Sequence, residues 1–194
     1  MKRFLSVATA ALLMTGAATA QKVNLGIKAG ANFSNIDVDN GFDYKTKTGF
    51  HAGLLAHIHV APQFAIQPEV MYSRQGAIEQ PGNNETKVDL GYINVPVMLQ
   101  YMFDNGFRLQ AGPQVGFLFN AKRETNNVET DVKNELKTVD FGIGAGLGYV
   151  HAPSGFGVDA RYNLGLSDIS ETSTLKTTNR GFQVGVFYLF KHKD

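Results

Sequence analysis

From residue 22 onward apolar and polar positions alternate with a period of two, and no window repeats its apolar residues at the 3.6-residue spacing of a helix. Glycine, asparagine and proline divide the alternation into eight segments, near 22–34, 48–60, 63–75, 89–103, 107–119, 138–151, 156–167 and 180–190. The pattern predicts an all-β chain. The links after the second, fourth and sixth segments are short (Ala61-Pro62, Asp104-Asn105-Gly106, Ala152-Pro153-Ser154-Gly155), whereas Asp37–Lys47, Ala77–Val88, Ala121–Lys137 and Asp168–Arg180 are long and rich in Asn, Thr, Asp, Glu and Lys. Long loops therefore gather at one end of the sheet. Short turns opposite long loops, with strands near the ~9–11 residues that cross a bilayer obliquely, are the pattern of an outer-membrane barrel.

The two faces of the segments carry the choice between a membrane barrel and a soluble one. In the second segment Phe50, Ala52, Leu54, Ala56, Ile58 and Val60 alternate with Gly49, His51, Gly53, Leu55, His57 and His59. The sixth sets Val139, Phe141, Ile143, Ala145, Leu147 and Tyr149 against Asp140, Gly142, Gly144, Gly146 and Gly148. Val95, Val97, Leu99 and Tyr101 in the fourth, and Phe182, Val184, Val186, Tyr188 and Phe190 in the eighth, continue the bulky set. Eight strands enclose an interior just wide enough for side chains, so this bulky set would overfill it and belongs outside, against lipid. The competing arrangement is a periplasmic lipocalin-like binder, with the apolar set turned inward around a ligand. The expected fold is an eight-stranded antiparallel up-and-down transmembrane β-barrel, closed because hydrocarbon offers no partner to a strand edge. Phe64, Tyr72, Tyr92, Tyr101, Phe103, Phe107, Phe117, Phe119, Phe156 and Phe190 stand near segment ends, where aromatic girdles form.

The first twenty residues differ from the rest. Lys2 and Arg3 precede an apolar run from Phe4 to Met14, and small residues follow to Ala18-Thr19-Ala20. This is the pattern of a secretory signal peptide cleaved before Gln21, and the run is short of the ~20 residues of a spanning helix. Residues 21–194 then form the barrel domain. Loss of Lys2 and Arg3 leaves 16 basic against 17 acidic residues, from 18 and 17 in the whole chain. No basic stripe is present, which excludes nucleic acid as a partner. The absence of cysteine excludes disulfides, thiol catalysis and cysteine-ligated metals.

Carried through all eight segments, the alternation turns Lys28, Glu69, Arg108, Asp140, Asp159 and Arg161 inward, joined by His51, His57 and His59. Three acids meet three fixed bases, and charges inside a narrow barrel persist only when paired. The expectation is a polar, salt-bridged filling without an open pore, in which the glycine row of the sixth segment leaves room for Arg161 or Arg108 to lie across. His57 and His59 share a face at i, i+2, but a histidine pair lacks the ligand count of a metal site, so neither metal nor cofactor is expected. Ser73, His51 and Glu69 are the residues from which a lipid-modifying enzyme at the outer rim would be built. No enzymatic activity is expected, because nothing in the sequence sets the geometry such a site requires.

Longer stretches carry a resemblance. Thr48-Gly49-Phe50-His51-Ala52-Gly53-Leu54, Ile66-Gln67-Pro68-Glu69-Val70-Met71-Tyr72-Ser73-Arg74-Gln75-Gly76-Ala77 and Tyr92-Ile93-Asn94-Val95-Pro96-Val97-Met98-Leu99-Gln100-Tyr101 resemble the PorT-like outer-membrane β-barrel family of the Bacteroidetes. Gly112-Pro113-Gln114-Val115-Gly116-Phe117-Leu118, Asp140-Phe141-Gly142 and Arg161-Tyr162-Asn163-Leu164-Gly165-Leu166 resemble its second half, in the same order. Phe190 resembles the terminal aromatic read by the barrel-insertion machinery, with Lys191-His192-Lys193-Asp194 following it. The resemblance implies export to the outer membrane of a Gram-negative bacterium and a link to secretion machinery; it supplies no catalytic residues. The protein is expected to be a monomer in contact with outer-membrane lipid, with its long loops at the cell surface offering a site to a protein or glycan partner. The third loop, Lys122-Arg123-Glu124 through Glu129-Thr130-Asp131, is the most charged.

Overall fold

The computed structural model describes residues 23–39, 44–79, 86–171 and 175–190. The signal peptide expected at 1–20, the tail Lys191–Asp194 and parts of three long loops lie outside the described residues. The elements are β1 (Val23–Val38), β2 (Lys45–Ala61), β3 (Phe64–Glu79), β4 (Thr86–Met102), β5 (Phe107–Thr125), β6 (Val128–Asp131), a single 3-10 turn (Lys133–Glu135), β7 (Val139–His151), β8 (Phe156–Gly165) and β9 (Thr177–Leu189). Each long strand pairs antiparallel with the next, β6 folding back on β5, and β1 pairs with β9 from Gly26–Leu189 to Val38–Thr177. With β4 also paired to β5, the eight long strands form a ring without a free edge: the chain is a closed eight-stranded antiparallel barrel with a short ninth strand appended.

Several strands extend further on the long-loop side than the sequence pattern predicts. β1 reaches Val38 rather than residue 34, β3 reaches Glu79, β5 reaches Thr125, and β2 and β4 begin at Lys45 and Thr86. The polar composition of these extensions reads as loop, yet several of their inward positions are apolar (Ile36, Ala77, Val88, Ala121) and join Leu90 in a small core that keeps the ladders paired. The third loop is likewise a hairpin, Lys122–Thr125 against Val128–Asp131, turned at Asn126 and Asn127, whose φ angles of 51° and 64° suit a type I′ turn.

The bulky alternating set faces outward on every barrel strand. Leu25, Leu54, Leu99, Phe141, Leu147 and Val186 are exposed, while their chain neighbours turn inward. Aromatic rings form two bands on this outer surface. At the short-turn end Phe64, Tyr101 and Phe103 stack in sequence (5.2 and 4.9 Å between centroids), Phe107 meets Tyr149, and Tyr188 lies between Phe156 and Phe190. Toward the loops Tyr72 sits between Phe50 and Phe119, at 5.5 and 5.6 Å. Tyr92 departs from the expected girdle. Tyr92 shares the inward parity of Asn94, Met98 and Gln100 on β4, and its ring is almost fully buried; the bulge beside it lies in β5, where the extra residue Phe119 stands between the Leu118–Tyr92 and Asn120–Gly91 pairs.

Candidate functional site

The interior is built in layers, and the residues expected there do not all meet. At mid-height Arg161 on β8 makes a two-pronged contact with Glu69 on β3, Nη2 to Oε1 at 2.8 Å and Nη1 to Oε2 at 3.2 Å. Lys28 on β1 pairs with Asp159 and lies 3.9 Å from Glu69. These four groups balance, two cations against two carboxylates, which is the condition for burying them. Amides add further bonds: Gln67 donates to Glu69 at 2.8 Å, and Gln110 accepts from Arg161 at 3.1 Å and donates to Asp159 at 3.4 Å. Glycines in β7 make room, since a Cβ at Gly144 would lie 3.2 Å from Arg161 Cδ and one at Gly148 3.3 Å from Arg108 Cγ.

Arg108 and Asp140, expected in the same network, lie at opposite ends of it. Arg108 donates to Gln100 at 3.1 Å and stands over the Phe187 ring at 5.6 Å, without an ion pair among the described residues. Asp140 accepts from Asn179 and Ser167, both at 2.8 Å, and Asn179 also donates to Tyr92 at 3.1 Å. The pairing is thus two with two rather than three with three. A second correction concerns the filling, which is not polar throughout. Ile36, Leu90, Tyr92, Leu118, Val132 and Ile169 belong to an apolar cluster under the loops, and Leu55, Val150, Phe187 and Leu189 form another near the short turns. Phe187 packs into the space left by Gly157, where a Cβ would approach the ring to 2.2 Å. Gly157→Val is therefore expected to lower stability by about 1–3 kcal/mol through overpacking, read from the urea midpoint in detergent; an unchanged midpoint would contradict this packing.

The strand register sets His51 opposite Ser73. Asn32 intervenes: His51 Nδ1 bonds to Asn32 Oδ1 at 2.7 Å, while Asn32 Nδ2 donates to Ser73 Oγ at 2.9 Å. Ser73 is fully buried and Glu69 is engaged by Arg161, so the three do not assemble as nucleophile, base and acid. His57 and His59 meet edge to face, 4.6 Å between ring centroids, and no group of three or more metal-ligating side chains converges among the described residues. The sequence reading missed the uncharged members, Asn32, Gln67, Gln100, Gln110 and Asn179. Each occupies an inward position of the same alternation that located the charges.

The described parts of the third and fourth loops are fastened together over the barrel mouth. Leu136 bridges to Ser170, Lys137 N–H donates to Ile169 O at 2.8 Å, and Glu171 N–H donates to Glu135 O at 2.9 Å. Val132 and Ile169 insert beneath, into the upper apolar cluster. Asp168 accepts from the Thr177 and Ser170 amides at 2.9 and 3.1 Å and from Lys137 at 3.0 Å. The Thr177 amide above all holds its carboxyl below the usual aspartate range. A depressed carboxyl contributes its stability above the unfolded value near ~3.9 and loses it as pH falls through the lower folded value. An NMR titration of the Thr177 amide is expected to give a midpoint below that of free aspartate; a midpoint at or above it would contradict the capping role of Asp168.

These features, a closed sheet with an apolar outer wall between aromatic bands and a paired polar interior, coincide with a family match. The model of the outer membrane protein β-barrel domain matches residues 19–171. The chain belongs to that family. Among solved structures this outer-membrane barrel is similar to Neisserial surface protein A (NspA), with a TM-score of 0.61 at 16% identity over 87% of this chain and 99% of that one. It is also similar to Ail, the attachment invasion locus protein of Yersinia pestis, with a TM-score of 0.53 at 19% identity, again over 87% and 99%. A second Ail structure, in complex with the heparin analogue sucrose octasulfate, gives 0.52 at 18% identity over the same shares. At these identities the likeness is one of fold. No curated protein matches the chain.

Proposed function

We propose that this outer-membrane barrel is a non-conducting interaction scaffold, which presents its loop-capped end to a protein or glycan at the cell surface and carries out no catalysis. The observation that carries the reading is the filled bore: the buried Arg161, Glu69 and Lys28 cross it, and the loop-covered apolar cluster lies above them. Recognition then falls to the exposed rim, where Lys122 pairs with Glu129 and Arg123 with Glu135. Such surface pairs contribute little to stability and are free to exchange partners. Ail's complex with a heparin analogue supports a sulfated glycan as one class of ligand. The resemblance to PorT-like barrels supports a protein partner in a secretion apparatus of the Bacteroidetes. Export by cleavage of residues 1–20 and a monomeric state belong to the same proposal.

Reconstitution tests both halves. In planar bilayers the protein is expected to give no stable conductance, whereas steady ion-conducting events would overturn the closed bore. A photo-crosslinker at Glu124 is expected to capture a discrete surface partner, and replacing Lys122 and Arg123 with glutamate should abolish capture. Undiminished capture by that variant would overturn the role given to the rim.

A further inference from the structure

At the short-turn end, which faces the periplasm in barrels of this kind, the interior opens into a vestibule of about 510 Å³ lined by His57, His59, Arg108 and His151, with Asp104 on a turn at its rim. This volume falls within the range of small-molecule sites, ~300–1,000 Å³. The guanidinium of Arg108 is buried there. Asp159, which packs on the same Gly148, is already held by Lys28 and Arg161, and Arg108 makes no ion pair among the described residues. Its Nε, together with Nδ1 of His57 and Nδ1 of His59, is buried without a hydrogen-bond partner. An uncompensated buried cation and donors left unsatisfied are both costly, and one oxyanion would relieve both. We propose that this vestibule binds the carboxylate or phosphate group of a small periplasmic solute, with Arg108 supplying the charge and the two imidazoles supplying N–H donors. The site stands apart from the loop-capped end and does not depend on the function proposed for it.

Isothermal titration of the folded full-length protein in detergent, with inorganic phosphate and separately with succinate at low ionic strength, tests the site. Saturable one-to-one binding of at least one anion is expected, and the tighter of the two identifies the oxyanion. Arg108→Gln is expected to weaken binding by about tenfold or more, in keeping with the 1.5–3 kcal/mol of a charged hydrogen bond. Arg108→Lys should retain part of the affinity. If Arg108→Gln fails to fold, the doubly substituted His57→Gln, His59→Gln protein should still show a several-fold loss. Absence of saturable binding for both anions, or unchanged affinity in the variants, would overturn the proposal.

Discussion

Glu69→Ala is expected to lower the unfolding free energy by about 3–5 kcal/mol, the cost of leaving a buried charge without its partner. Glu69 lies at the centre of the paired layer. It accepts two bonds from Arg161 and one from Gln67, and Lys28 is 3.9 Å away. Without it, Asp159 is left to compensate both Lys28 and Arg161 inside a bore with little access to water. Replacing both members, Glu69→Leu with Arg161→Met, should recover most of the loss, because Lys28 and Asp159 then remain as a balanced pair. Urea unfolding in detergent micelles or lipid vesicles reads both variants. A loss under about 1 kcal/mol for Glu69→Ala, the size seen for solvated surface pairs, would contradict the dry interior.

The second large effect lies on the outer wall. Leu54 on β2 and Val128 on the β6 hairpin are equally accessible, at 64% and 65%. Only Leu54 lies between the two aromatic bands. In an aqueous protein both would accept arginine at little cost. Across a bilayer, Leu54→Arg is expected to cost about 2–4 kcal/mol, the penalty for a cation near the midplane, and Val128→Arg should stay near zero. Folding yield and urea midpoints in vesicles separate the two cases. Equal, small effects would place the Leu54 surface in water.

The barrel was legible in the sequence because both faces of the strands had to be specified at once. Lipid selects the bulky set and the narrow bore selects the small and polar one, so the alternation of Val139–Tyr149 with Asp140–Gly148 gave both strand and orientation. Strand ends on the loop side were less legible. There the wall leaves the membrane and polar residues face water, so a β segment and a loop have the same composition; only Ile36, Ala77 and Val88 on the inner face mark the continued pairing. Tyr92 stands near a segment end but on the inward parity of β4, with Asn94 and Gln100 and opposite to Val97 and Leu99, so its place in the bore follows from the alternation, and only its residue type suggested a girdle. The site residues divide along similar lines. Alternation turned all nine inward, but which of them meet depends on register between strands far apart in the chain. That register brings Lys28, Glu69, Asp159 and Arg161 together and leaves Arg108 and Asp140 at opposite ends.

The central claim is that these strands close into a barrel across the outer membrane. Fractionated membranes extracted with detergent and run on a denaturing gel with and without boiling test it most directly. The protein is expected in the outer-membrane fraction, with the unboiled sample migrating faster than the boiled one because the closed sheet resists the detergent. A protein recovered in the soluble periplasmic fraction, with the same mobility before and after boiling, would contradict the claim.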